Sequence, residues 1–125
     1  AMIRFVEYED GVITVDGDAR LYYDEDTVYP LLPFLLDNNF LKTITIDMGA
    51  VPPISSGADV MTPGVTDAAP GISDGSIVSV IDEDNRKPIA VATSKLTSEE
   101  LESANSGIGA VTKHYVGDAL WNEFF

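Results

Sequence analysis

The first part of the chain alternates short apolar runs with pairs of turn-forming residues. Asp10-Gly11 precedes the run Val12–Val15, and Asp16-Gly17 precedes the apolar residues 21–23. Asp-Gly pairs between alternating segments are typical of tight hairpin turns. Residues 2–26 are therefore predicted to form a β-meander.

A short helix is predicted to follow over residues 27–39. Pro30 would occupy the first helical position, where the missing N–H costs nothing, and Pro33 would still lie among the unpaired donors of the first turn. Apolar residues surround the helix almost completely, which indicates burial on more than one side. Asn38 would end it.

Short strands and two further helices are predicted beyond residue 42. The predicted strands are 43–47, 60–62, 77–81, 88–93 and 110–116. A turn or two of helix is predicted at 51–56, ended by Gly57, and a loop at 66–75. Thr97 and Glu100 have the spacing of a capping box, which predicts a helix to about Asn105. This pattern predicts a mainly β (α+β) protein, a β-rich barrel with short helices.

Length and composition narrow the class of protein. A chain of 125 residues with 45% hydrophobic content is predicted to form one domain, or a small domain with an appendage. It has no apolar run of 18 residues, no signal-peptide pattern and no cysteine. We therefore expect a cytoplasmic protein without membrane association, disulfides or thiolate chemistry. The aromatic residues Trp121 and Phe124 near the chain end are predicted to cap the core.

The net charge of −14 opposes general affinity for nucleic acid, because seven cations face 21 acids. Three interpretations remain open. The surface is adapted to a salty or acidic cytoplasm, the few cations cluster on one face, or the domain binds a protein.

Catalytic and metal motifs are missing from the sequence. Counted from Asp16 as an EF-hand loop, position 5 is Arg20 and position 12 is Thr27, so the calcium pattern fails. His114 is the single histidine, and the chain has no GxSxG or P-loop motif. We expect no enzyme activity, no metal and no cofactor. Asp59 and Asp118 are predicted to fix turns by accepting backbone hydrogen bonds.

Several motifs in a fixed order resemble one family. They are Gly49-Ala50-Val51-Pro52, Gly57-Ala58-Asp59-Val60-Met61-Thr62-Pro63-Gly64-Val65, Pro88-Ile89-Ala90-Val91-Ala92, Ser98-Glu99-Glu100 and His114-Tyr115-Val116-Gly117-Asp118-Ala119-Leu120-Trp121. Together they resemble the PUA domain, the RNA-binding module named after pseudouridine synthases and archaeosine transglycosylases. The resemblance is strongest to stand-alone archaeal PUA proteins and to the malignant T-cell-amplified-sequence and ligatin translation factors.

The resemblance implies a mixed β pseudo-barrel at residues 42–125, preceded by a shortened N-terminal α+β module at 1–41. It also implies an RNA groove along residues 51–61, where exposed amides of Gly57 and Ala58 would contact sugar and phosphate. Alternatively, the glycines of this segment are only steric requirements of the corner. Cations gathered near this groove would contact phosphates, although scattered surface lysines remain an alternative. The expected RNA-binding residues are Val51, Ser55, Ser56, Gly57, Ala58, Met61, Arg86, Lys87, Lys113 and His114.

The partners implied by the resemblance are RNAs of translation. They include transfer RNA and small-subunit ribosomal RNA. Two alternatives remain: docking to a translation factor with a SUI1-type domain, or action in trans as the RNA-specificity domain of an RNA-modifying enzyme.

Overall fold

Two β-sheets and three short α-helices make up the part of the chain that the structure describes. The structure is a computed structural model and describes residues 6–24, 27–37 and 39–118. The strands are β1 (Val6–Glu9), β2 (Val12–Val15), β3 (Asp18–Asp24), β4 (Thr27–Pro30), β5 (Thr43–Ile46), β6 (Val60–Met61), β7 (Val65–Ala68), β8 (Ile77–Asp82), β9 (Pro88–Ser94) and β10 (Ile108–Tyr115). The helices are α1 (Leu32–Asp37), α2 (Val51–Ile54) and α3 (Ser98–Ser103), with 3-10 turns at Met48–Ala50 and Thr62–Gly64.

The N-terminal sheet is an antiparallel meander in the order β1-β2-β3-β4. Both predicted hairpin turns are confirmed, because Asp10 and Gly11 have φ of 50° and 86°, and Asp16 and Gly17 have φ of 54° and 87°. Positive φ at both central positions matches the twist of the flanking strands. The predicted meander is thus confirmed over the described strands, whereas residues 2–5 and 25–26 lie outside the described part.

The helix predicted over residues 27–39 is wrong in its first half. Thr27–Pro30 is strand β4, with Tyr29 opposite Tyr22 of β3. The helix begins only at Leu32, so Pro30 ends a strand instead of starting a helix. Pairing with β3 decides this conformation, and local periodicity does not reveal such a nonlocal contact. Leu32 and Leu35 of the helix are buried, whereas Leu36 is 47% exposed, so the apolar pattern overstates how completely this helix is buried. Asn38 lies outside the described residues.

The larger sheet has six strands in the order β6-β10-β9-β8-β5-β7. Strands β5 and β8 run parallel, and the other neighbours are antiparallel. The loop predicted at 66–75 is wrong in its first part, which belongs to edge strand β7. Thr66 and Asp67 of that strand are exposed, so the segment lacks the apolar alternation by which a strand is recognised.

The mainly β fold class is confirmed, but the predicted closure of the strands into a barrel is not observed in the described residues. The described strands form two open sheets instead of a closed barrel, with β6 and β7 at the edges of the larger one. One face of that sheet carries the main core, which includes Ile44, Ile46, Val60, Val78 and Val80. None of the helices in the described ranges is long and apolar enough to cross a membrane.

The predicted capping box at the start of α3 is confirmed. Thr97 Oγ1 accepts a hydrogen bond from the Glu100 N–H at 3.2 Å, and Glu100 Oε1 accepts one from the Thr97 N–H at 3.0 Å. The bond from the Thr97 backbone lowers the pKa of Glu100. The two bonds satisfy donors that have no partner within the helix.

The two sheets pack together through a second cluster of apolar side chains. Tyr29 of β4 and the α1 residues Leu32 and Leu35 form one apolar cluster with Val91 of β9. All four are buried. Helix α1 therefore lies between the N-terminal sheet and the larger one. The tail residues Trp121 and Phe124, predicted to cap the core, lie outside the described residues.

Candidate functional site

An open groove of about 320 Å³ runs between the 3-10 turn at Met48–Ala50, helix α2 and strand β6. Apolar side chains and glycine backbone form most of its wall. We call it the α2–β6 groove. Its lining residues are Asp47, Gly49, Ala50, Pro53, Ile54, Ala58, Asp59, Met61, Pro63 and Gly64.

The end of α2 forms one wall of the groove and depends on Gly57. The Ala58 N–H donates to the Pro53 carbonyl and the Gly57 N–H to the Ile54 carbonyl, each at 3.0 Å, which is a Schellman motif. Gly57 has a φ of 98°, and a Cβ at this position would lie 2.9 Å from the Tyr115 ring. Both the backbone conformation and the close approach therefore require glycine.

The two carboxylates of the groove support its walls. Asp47 Oδ1 accepts from the Ala50 N–H at 2.9 Å and so caps the 3-10 turn. Asp59 Oδ1 accepts from the Thr112 N–H at 3.1 Å, which connects the α2–β6 segment to β10. The prediction that Asp59 accepts a backbone hydrogen bond is confirmed, but the bond joins two distant segments instead of fixing a turn. No lysine or arginine stands among the groove's lining residues.

The expected use of backbone amides in this groove is wrong. The Gly57 and Ala58 N–H groups are both bonded within the Schellman motif, so neither is free for sugar or phosphate. Of the residues expected along 51–61, Ala58 and Met61 line the groove. Val51 packs against the core, and Ser55 and Ser56 lie at the end of α2, outside the lining.

Exposed apolar surface at the groove comes mainly from methionine. Met61 is 48% exposed, and Met48, beside the lining residue Gly49, is 39% exposed. Thioethers are polarisable and adapt to flat ring systems. The groove residues that lie outside the predicted range 51–61 are Asp47, Gly49, Ala50, Pro63 and Gly64. The clustering of prolines and glycines over 49–64 is the signal that marks their location.

Five of the six cations among the described residues divide between the two ends of the larger sheet, and the sixth, Arg20, belongs to the N-terminal sheet. Arg86 and Lys87 lie in the β8–β9 turn, which also contains Glu83, whose Oε1 accepts from the Met48 N–H beside the groove. Lys113 occupies the bulge of β10 between Thr112 and His114. Lys42 and Lys95 lie at the opposite end, since Lys42 precedes β5 and the Lys95 N–H bonds to the Gly109 carbonyl at the start of β10. These lysines and Arg86 are exposed.

His114 lies in the interior, with 1% of its surface exposed. Its Nε2 accepts a hydrogen bond from the Leu32 N–H at 3.1 Å, and its Nδ1 lies 2.7 Å from Asp118 Oδ2. Because Nε2 accepts, this pattern assigns the proton to Nδ1, which donates to Asp118. The RNA contact expected for His114 is therefore corrected to a structural role, the joining of β10 to α1.

Burial and the neighbouring carboxylate shift the pKa of the His114 imidazole in opposite directions. Burial lowers the pKa of His114, and the hydrogen bond and charge of Asp118 raise it to a smaller extent. Asp118 Oδ2 also accepts from the Tyr115 N–H at 3.0 Å, so the turn-fixing role predicted for Asp118 is confirmed. Among the described residues, no group of three or more acidic or histidine side chains is placed to hold a metal ion.

Comparison with known proteins finds several relatives that match most of this chain. The chain is 36% identical over 115 residues to an uncharacterized protein of Methanocaldococcus jannaschii, covering 89% of this chain and 69% of the relative. It is 31% identical to translation machinery-associated protein 20 of Saccharomyces cerevisiae, covering 98% and 72%. It is 32% identical to malignant T-cell-amplified sequence 1 of Danio rerio, covering 89% and 64%. The chain thus spans about two thirds of the length of these relatives.

A structural superposition and a family model identify the fold and the family of this chain. The crystal structure of a hypothetical protein from Pyrococcus horikoshii superposes with a TM-score of 0.87 at 27% identity, covering 98% of this chain and 80% of that one. The PUA domain model matches residues 42–116, which include the α2–β6 groove and β10. The chain therefore belongs to the PUA domain family.

Proposed function

We propose that this protein is a non-catalytic RNA-binding protein of the translation machinery, acting in the cytoplasm. Its ligand is structured RNA, either transfer RNA or small-subunit ribosomal RNA, and residues 42–125 act as the binding part behind a small N-terminal module at 1–41. The observation that carries the proposal is the open α2–β6 groove inside the matched PUA region. The name of the yeast relative, translation machinery-associated protein 20, supports the connection to translation.

The chemistry of the groove favours an unpaired nucleotide over a duplex. Its wall is apolar, with Ala58 and Met61 accessible from solvent, and the flat face of a base suits such a wall. Its carboxylates already accept backbone hydrogen bonds. Phosphates would instead meet Lys87 and Arg86 in the neighbouring turn, with Lys113 further along β10.

The binding test is a titration of transfer RNA and of small ribosomal subunits over a salt series. We expect saturable binding with a shallow salt dependence, because few cations are available to release counterions from RNA. Lys87→Glu combined with Lys113→Glu should weaken binding about tenfold or more. The same change should lower the salt slope by about 0.9 for each phosphate that the variant no longer neutralises.

A matched control comes from the opposite end of the sheet. Lys42→Glu combined with Lys95→Glu changes the net charge by the same amount at exposed positions remote from the β8–β9 turn. Equal losses in the two double variants would show that overall charge, and not the proposed interface, governs binding. A melting temperature close to that of the unmodified protein shows that each variant is folded.

Docking to a protein partner is the second candidate function, and the acidic surface favours it. With a net charge of −14 and no cation lining the groove, general attraction to phosphate is weak. The partner would be a translation factor with a SUI1-type domain or an RNA-modifying enzyme. Retention on whole ribosomal subunits without binding to free RNA would favour this function.

A further inference from the structure

The side of the N-terminal sheet that faces away from its core is apolar. In the cross-strand register Tyr8 lies opposite Ile13, Ile13 opposite Leu21, and Tyr23 opposite Val28, so these side chains share one face. Val6 lies on the same face, two residues before Tyr8. We call this surface the outer face.

Exposure distinguishes the outer face from its reverse. Val6 and Tyr8 are 60% and 63% exposed, and Tyr23 and Val28 are 40% and 41% exposed. On the reverse side Val12 and Tyr29 are buried in the clusters around α1. None of the outer-face residues belongs to the core clusters of the described chain. Over β2 to β4 the sheet is therefore largely apolar on both faces, which is typical of an inner layer covered on each side, whereas Glu7 and Glu9 of β1 are exposed on the reverse side.

Acidic residues surround the outer face at both ends of the sheet. Asp10 and Asp24 lie at one end, and Asp16 and Asp18 lie at the other. Within the described residues between 6 and 30, Arg20 is the one cation. It lies 5.5 Å from the Phe34 ring, and its Nη2 lies 3.8 Å from Asp18 Oδ2, so it offsets part of the acidic charge at that end. An apolar centre with an acidic rim is complementary to a partner with an apolar centre and basic flanks.

The dimensions of the face fit a helix. Four strands at a spacing of about 4.8 Å give a width near 14 Å, and seven residues of β3 extend roughly 23 Å. A helix of about 12 residues is roughly 18 Å long and 10 Å wide. We propose that the outer face is a docking site for an amphipathic helix of a partner protein, whose apolar stripe is flanked by lysine and arginine.

A second copy of this chain fits the face less well. Two such faces in contact would bring acidic rim against acidic rim, between molecules of net charge −14 each. The outer face belongs to a different sheet from the α2–β6 groove. Success or failure of helix docking is therefore independent of RNA binding at the groove.

The test uses the full chain and a pair of synthetic peptides. One 18-residue peptide has leucine at helical spacings of three and four and lysine elsewhere, and the other has glutamate in place of each lysine. We expect saturable one-to-one binding of the lysine peptide in a fluorescence anisotropy titration, and none of the glutamate peptide. Val6→Thr combined with Tyr8→Thr should weaken binding about tenfold or more, because the complex then buries less apolar surface.

Two control pairs separate the site from general effects. Asp10→Asn with Asp18→Asn should weaken binding severalfold, whereas Asp74→Asn with Glu102→Gln, which changes the net charge equally, should change it little. Ile108→Thr, an exposed apolar residue at the start of β10, is the control for reduced apolar surface. Circular dichroism and the melting temperature show that each variant is folded.

Several results would overturn the proposal. These are absence of saturable binding, binding that survives the Val6 and Tyr8 changes, or equal losses in the two charge-neutralised pairs. Self-association in sedimentation that these same changes abolish would assign the face to a second copy. A shift in the fluorescence of Trp121, the single tryptophan, on changing Val6 and Tyr8 without peptide would assign it to the chain's own tail.

Discussion

The imidazole of His114 connects the two sheets through hydrogen bonds at both of its nitrogens. One nitrogen accepts from the first residue of α1, and the other donates to Asp118 in the turn after β10. A protonated imidazole has no lone pair at Nε2, so it would leave the buried Leu32 N–H without an acceptor. The fold therefore selects the neutral form, in agreement with the lowered pKa of His114.

Because the folded chain requires the neutral form of His114, we expect the protein to lose stability in mild acid. Because the pKa of His114 is lower in the folded chain than its ordinary value of about 6.5, the unfolded chain binds the proton more strongly. The free energy of unfolding should be highest above about pH 6.5 and fall as the pH decreases toward the folded pKa. Urea unfolding between about pH 8 and pH 5.5 measures this change, since most carboxylates titrate lower.

The matched variant is His114→Gln, which does not titrate. It should cost about 1–3 kcal/mol at pH 8 through imperfect hydrogen bonding in a buried site, and its stability should change little down to pH 5.5. A pH dependence as steep as that of the unmodified protein would assign the acid sensitivity to other groups.

At the end of helix α2, Gly57 is required for two separate reasons: its backbone conformation and the close approach of the Tyr115 ring. Gly57 and Gly75 both have left-handed backbone, with φ of 98° and 93°. A Cβ at Gly57 would overlap the Tyr115 ring, whereas a Cβ at Gly75 would meet nothing within 4 Å. The two positions therefore separate backbone strain from steric overlap.

Alanine substitution at these two glycines should give unequal losses of stability. Gly75→Ala should cost about 1–2 kcal/mol, from backbone conformation alone. Gly57→Ala should cost at least about 1 kcal/mol more, because Tyr115 must move. Urea unfolding of both variants measures the difference. Equal losses would mean that Tyr115 moves aside freely and that packing at the end of α2 is loose.

Elements with local signals were the predictable part of this fold. The Asp-Gly hairpins and the Thr97–Glu100 capping box depend on residues within four positions of one another, and the structure confirms them. Strands β4 and β7 were missed because their conformation comes from pairing with β3 and β5. The position of the groove was implied by the family resemblance, but the internal bonding of the Gly57 and Ala58 amides was visible only in the folded backbone.

For the whole molecule, the charge of −14 remains the dominant property, and it predicts stabilisation by salt. At about 0.1 M salt, charges interact over roughly 10 Å, and at about 1 M over roughly 3 Å. Weaker self-repulsion should raise the melting temperature by about 5 °C or more, the shift that roughly 1 kcal/mol produces in a small domain. Thermal unfolding in a potassium chloride series measures it.

A charge-neutralised variant provides the control for that series. Asp67→Asn, Asp74→Asn, Asp84→Asn and Glu102→Gln all change exposed side chains. The variant should melt at a higher temperature in low salt and respond less to added salt. A melting temperature independent of salt in both proteins would exclude a salt-adapted surface as the reason for the acidic composition.

The two 3-10 turns lie close together, and this limits how the size of the groove can change among related sequences. A Cβ at Gly64 would lie 3.0 Å from Ala50 Cβ, and both residues line the groove. At this point the groove is bounded by the Ala50 methyl group against the Gly64 main chain, and neither has a side-chain rotamer that could change their spacing. One added methyl group at either turn would resize the opening without removing a hydrogen bond, so related sequences can alter ligand selectivity here by a single small substitution.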